Sequence, residues 1–162
     1  MSNEHFHEGG CQCGAIRFRT HNRPLRVIAC HCKTCKQRTG ADYGMGIYFD
    51  DGDVEFTKGV TQVFEFHSDE SRRWVRAEFC QHCGSTISWT LEMRPGVRGV
   101  AGGAYDNPDW FNVEAHIWTS SARSDVAYPE TSRSTKRGCH RLSVMQKGPI
   151  SIDLNTTLGE GE

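Results

Sequence analysis

Seven of the chain's eight cysteines fall into three tight clusters. They are Cys11 and Cys13, then Cys30, Cys32 and Cys35, then Cys80 and Cys83. Such spacing suits thiolate ligation of zinc. Four thiolates close a tetrahedral site that holds structure, whereas three leave a position for water or substrate. Seven divides into four plus three, which predicts one structural zinc and one open zinc that could support chemistry.

Two other uses of cysteine fit less well. A disulfide framework belongs to oxidising compartments. The N-terminal segment Met1–Gly10 shows no basic stretch followed by an apolar run of the secretory type. A redox Cys-x-x-Cys pair needs a βαβ setting, and no such pattern surrounds either pair. The expected setting is a reducing cytoplasm, where thiolates remain available to metal.

Spacing alone does not decide which cysteines share a metal. Cys80 and Cys83, followed by the turn residues Gly84 and Ser85, form a knuckle that needs two more ligands. Either Cys11 with Cys13, or Cys32 with Cys35, could supply them. Cys139 lies apart from the clusters and reads as a free thiol. His82 reads as a spacer, and His5 and His7 as tail residues.

The elements that must carry these clusters read as short strands. Period-two alternation runs through 15–20, 42–49, 73–79, 85–91 and 113–118, with further strands over 53–56, 62–66 and 99–104. Turn signals such as Asp50–Gly52, Lys58–Gly59, Arg94–Gly96 and Asp106–Asp109 separate them. One helical turn fits after Cys32, through Lys36 and Gln37. The expected fold is all-β, with antiparallel sheets and zinc-binding knuckles at strand ends. The 162 residues make one domain over 9–154, with a disordered tail at 1–8 and a frayed tail at 155–162.

Composition narrows the function classes. Lys and Arg number 19 against 20 Asp and Glu, a formal charge of −1, so there is no bulk attraction to nucleic acid or anionic membrane. The local exception is a basic segment containing Arg133, Lys136, Arg137 and Arg141. No apolar run reaches the length of a membrane span. At 36% hydrophobic residues, the core is modest, and bound metal would add folding free energy.

The run Gly10–Phe18, the Cys30–Cys35 cluster with Thr39 and Gly40, the segment Phe79–Ser85, and His116–Trp118 occur in order. Together they resemble the glutathione-dependent formaldehyde-activating enzymes, a family that includes centromere protein V-like proteins. The resemblance covers about residues 9–118. It implies a zinc-bearing fold of the β-tent type, with Cys11, Cys13, Cys80 and Cys83 as the structural site and Cys30, Cys32 and Cys35 as the open one. It also implies a carbon–sulfur lyase that joins glutathione and formaldehyde into S-hydroxymethylglutathione, or reverses that step. Between His116 and the basic segment, Ser120–Tyr128 departs from the family by lacking a further tryptophan.

That chemistry needs a proton donor for the developing alkoxide. His116, on the polar side of its strand, is the first candidate, and His31, inside the open cluster, is the second. Arg38, just beyond that cluster, is a candidate for pairing with a glutathione carboxylate. Trp74, Trp89 and Trp118 are core or pocket-wall candidates. The alternatives to an enzyme are a non-catalytic thiol carrier and a zinc-stabilised interaction module. The expected partner is a small thiol such as glutathione. Oligomeric state is not readable.

Overall fold

The computed structural model describes residues 6–137. Two sheets account for the strands. The smaller is antiparallel, in the order β1 (Phe6–Gly10), β2 (Arg17–His21), β5 (Val54–Lys58). The larger has eight strands in the order β11 (Arg133–Ser134), β10 (Ala115–Ile117), β3 (Arg26–Cys30), β4 (Gly44–Asp50), β9 (Val97–Ala101), β8 (Thr86–Leu91), β7 (Trp74–Phe79), β6 (Gln62–His67). The one α-helix among the described residues, α1 (Lys33–Thr39), follows β3.

The fold is therefore nearly all β, as the alternation predicts, with one departure from pure antiparallel pairing. β10 runs parallel to both β3 and β11. The β3 pairing sets His116 beside Ala29 and Ile117 beside Cys30. It continues past the strand, where His31 N–H donates to the Ile117 carbonyl at 3.0 Å.

Phe18, Ile47, Phe49, Ile87 and Val100 are fully buried in one apolar cluster contributed by both sheets. Burial at this scale contributes about 1.5–3 kcal/mol for each large apolar side chain. Tyr105 closes the cluster edge-on to Phe18, with ring centroids 5.1 Å apart, and donates its hydroxyl to Thr20 Oγ1 at 3.2 Å.

Several local expectations change. β3 shows no alternation because Val27, Ile28 and Ala29 are all buried between neighbouring strands. Residues 6–8 are not a disordered tail: they belong to β1, whose register against β2 pairs Phe6 with His21 and Glu8 with Arg19. The strand expected over 99–104 spans Val97–Ala101, and Gly102–Ala104 turns as a 3-10 helix. The expected frayed tail at 155–162, Cys139 and Arg141 lie outside the described residues. No described helix is long and apolar enough to cross a membrane.

Candidate metal centres and their surroundings

The fold sorts the seven cysteines into two groups. Cys11, Cys13, Cys80 and Cys83 bring their sulfurs within 4.8 Å of one another, and so do Cys30, Cys32 and Cys35. Both groups could hold a metal ion. This is the four-plus-three division, and it selects Cys11 with Cys13, not Cys32 with Cys35, as the partners of the Cys80–Cys83 knuckle.

The four-cysteine group joins two turns of like construction. Cys11 and Cys13 leave β1, and Cys80 and Cys83 leave β7. Each turn closes on a glycine in the left-handed region, Gly14 at φ 74° and Gly84 at φ 74°, donating to the carbonyl of Cys11 or Cys80 at 3.0 and 2.8 Å. Glycine adopts that conformation without a Cβ penalty. The Cys11 sulfur also accepts from Ile16 N–H at 3.2 Å. Hydrogen bonds from the Ser85 hydroxyl and backbone pull the Cys83 thiol down to about 5. The Cys11–Cys13 and Cys13–Cys80 sulfur pairs lie 3.5 and 3.7 Å apart. Two thiolates on one tetrahedral zinc, each at about 2.3 Å from the ion, stand about 3.8 Å apart, so the donor set fits zinc.

The three-cysteine group is local. Cys30 ends β3, Cys32 caps α1 by accepting from Cys35 N–H at 3.3 Å, and Cys35 lies in the first turn of the helix. Glu70, from the β6–β7 loop, accepts the Lys33 N–H at 2.7 Å and braces the same helix start. Hydrogen bonds from Cys30 and Cys32, then the charge of Arg38, hold the Cys35 thiol down at about 3. The same contacts with Cys32 and Cys35, with burial, push Cys30 well above its ordinary value. The three sulfurs are thus unequal, with Cys35 the one most favoured as a thiolate.

His31 and His116 come together beside this group. His31 Nε2 and His116 Nδ1 are 2.9 Å apart, and both residues are buried. Burial depresses both imidazoles, His31 also through the facing His116 and Lys36. The outer nitrogens, His31 Nδ1 and His116 Nε2, are buried with no hydrogen-bond partner. His116 is not on a polar face, as strand alternation implies. Tyr128 packs over it at 4.8 Å between ring centroids and contacts His31 edge-on at 5.4 Å, while Tyr43 lies 5.0 Å from His31. Tyr128 belongs to the very segment that lacks a tryptophan. Neither tyrosine stands out in the sequence, since only folding brings them to the histidines.

Arg38 is half-buried on α1. Its guanidinium carbon lies 4.1 Å over the ring of Trp89, itself buried. Trp89 is thus a core residue that carries Arg38 on its face. Arg38 borders two depressions. One is a cleft of about 860 Å³ lined by Cys11, Arg17, Asp42, Tyr43, Ser85 and Asp106 among others. The second, about 620 Å³, is more apolar and includes Phe64, Phe66 and Phe79. Of the remaining sequence candidates, His82 is exposed and His7 stacks on Trp110 at 3.8 Å.

Known proteins resemble the chain in both sequence and fold. It is 26% identical over 146 residues to a Halomonas elongata protein that carries the name of a glutathione-dependent formaldehyde-activating enzyme, covering 77% of this chain and 90% of that protein. The crystal structure of a Rhodobacter sphaeroides protein superposes with a TM-score of 0.51 at 21% identity, over 65% of this chain and 96% of the other. The family model for glutathione-dependent formaldehyde-activating enzymes matches residues 6–121, a span that contains both cysteine groups and both histidines, and the chain belongs to that family.

Proposed function

We propose that this protein is a zinc-dependent carbon–sulfur lyase that interconverts a glutathione–aldehyde adduct of the S-hydroxymethylglutathione type with free thiol and aldehyde. The observation that carries the reading is the three-cysteine group. It supplies one ligand fewer than a closed zinc site needs, and Arg38, one helical turn beyond Cys35, borders a cleft in a chain of this family.

In the forward direction, the thiol sulfur bonds the aldehyde carbon. The carbonyl π electrons move to oxygen, and the proton lost from sulfur is made good on that oxygen. The reverse step breaks the carbon–sulfur bond. Zinc bound at Cys30, Cys32 and Cys35 supplies a Lewis acid that acidifies a thiol or polarises an aldehyde oxygen. Cys11, Cys13, Cys80 and Cys83 hold a second, structural zinc.

The histidine pair is suited to moving the proton. Two neutral imidazoles joined by one hydrogen bond carry a proton on one outer nitrogen and a lone pair on the other, whichever tautomers are present. A proton accepted at one end can therefore leave from the other. His116 and His31 together are the general acid of this reading. The thiols required are those of a reducing cytoplasm.

The test has two parts. Zinc-replete protein should carry two zinc ions per chain, one removed by mild chelator. It should also accelerate exchange between S-hydroxymethylglutathione and free glutathione in NMR exchange spectra, and Cys32→Ser should abolish the acceleration. Glutathione binding with no acceleration would make the protein a carrier. A single zinc after repletion would remove the open site and leave an interaction module.

A further inference from the structure

We infer that Arg38 is the counter-charge for an anionic ligand entering the Cys30/Cys32/Cys35 site, so that the site takes up its incoming partner as a thiolate and not as a neutral carbonyl. The inference rests on the reading of that cluster as an open zinc site, and it decides which reactant the site receives.

Three thiolates around a divalent ion already sum to minus one, and an incoming thiolate makes the sum minus two. Like charges at contact distance oppose that last addition. A neutral aldehyde brings no such penalty and needs no counter-ion. A fixed cation against the sulfurs is therefore the feature that distinguishes a site built for thiolate.

Arg38 has that placement. It follows Cys35 by three residues on α1, a spacing that puts both side chains on one face of the helix. The two converge over Gly44: a Cβ there would stand 3.1 Å from Arg38 Nη2, 3.2 Å from Cys35 Cβ and 3.6 Å from its sulfur. Trp89 fixes the guanidinium by stacking beneath it. No described carboxylate competes with Cys35 for that charge. Arg17, Arg19, Arg26, Arg73, Arg76, Arg98 and Arg123 each pair with a carboxylate, and Arg38 has no such pair among the described residues. Its Nη1 is buried without a hydrogen-bond partner. Nη2 is the nitrogen on the Cys35 side, and Nη1 is left as a buried donor that one more anion would satisfy. Uptake breaks the thiol S–H bond. The electron pair stays on sulfur, the proton passes to buffer, and nothing is oxidised.

The competing role for Arg38 is a clamp on a carboxylate of glutathione. A thiol without carboxylates separates the two. Full-length protein loaded with cobalt(II) at both sites is titrated with 2-mercaptoethanol and, in parallel, with glutathione, reading the sulfur-to-cobalt charge-transfer absorption. Arg38→Met keeps the stem over Trp89 and removes the charge. It should weaken 2-mercaptoethanol binding about 10- to 100-fold, the usual range for losing a group that supports metal ligands, and Arg38→Lys should recover most of the loss. Equal affinity for 2-mercaptoethanol in wild type and Arg38→Met, with only glutathione weakened, would overturn the inference in favour of the clamp. If Arg38→Met sheds cobalt from the three-cysteine group, Arg38→Lys decides: near-wild-type thiol affinity supports the counter-charge, and a full loss overturns it. A wild-type spectrum that no thiol perturbs would overturn both this inference and the open-site reading. A wild type that responds while charge-altered variants respond identically would overturn the inference alone.

Discussion

His31 Nε2 meets His116 Nδ1 at 2.9 Å, which ties the cysteine-bearing turn after β3 to a strand that lies 85 residues further along the chain. The contact exists because β10 runs parallel to β3 and its hydrogen bonds continue to His31. Each ring is the other's polar partner in a buried setting. His116→Phe should leave His31 Nε2 unsatisfied and lower the stability of zinc-loaded protein by about 1–3 kcal/mol in denaturant unfolding. An unchanged midpoint would show that the pair contributes nothing to the fold.

The same burial makes stability sensitive to acid. Both imidazoles are held below their ordinary value of 6.5. The unfolded chain binds protons on these rings as pH falls through about 6.5 while the folded protein does not, so their contribution is complete above that value and declines below it. The unfolding free energy should fall more steeply from about pH 7 to about 5.5 in wild type than in a His31→Phe/His116→Phe double variant. Metal content, measured at each pH, separates this loss from zinc release. Parallel slopes in the two proteins would contradict the assignment of neutral rings.

The two cysteine groups should fail differently. Cys80 is fully buried and its group joins the ends of β1 and β7. Structural zinc sites supply folding free energy outright. Cys80→Ser should therefore lose one zinc and the cooperative thermal transition together. Cys32→Ser should lose the other zinc while keeping a cooperative transition, because its group is confined to one turn. Metal analysis beside circular dichroism melts reads both. Equal damage from both substitutions would mean that the three-cysteine group is structural as well.

Gly44 sets how closely Arg38 and Cys35 approach β4. A methyl group there would press on both side chains at 3.1–3.2 Å. Gly44→Ala should lower the zinc affinity of the three-cysteine group about 10-fold or more in chelator competition, as loss of supporting contacts does elsewhere, with the four-cysteine group unaffected. Unaltered affinity at both would show that α1 shifts freely to make room.

Much of this molecule is legible in local chemistry. Cys11, Cys13, Cys80 and Cys83 advertise themselves because the residues that can ligate zinc are few and their turn spacings are constrained. The strands of β4, β7 and β8 are legible because apolar residues recur along them at every second position, even where, as at Ile87, Ser88 and Trp89, the fold buries both faces. β3 is not legible in this way, since Val27, Ile28 and Ala29 are covered on both sides and the alternation vanishes. Nor is β1, whose Phe6–Gly10 run has weak strand character and gains its hydrogen bonds from β2.

Ligand chemistry belongs to residue type and spacing, so the sequence by itself determined that seven cysteines stand at metal-ligand spacings and predicted their division into four and three. Three-dimensional neighbours depend on strand order and direction, which spacing does not encode. The tertiary structure bore out the grouping of Cys80 and Cys83 with Cys11 and Cys13 that the family resemblance implied and spacing left open, and it alone decided that the parallel β10 buries His116 against His31 under Tyr128 and that Arg38 stacks on Trp89. Each of these is a contact between segments far apart in the chain, made when sheet pairing closes the distance between them.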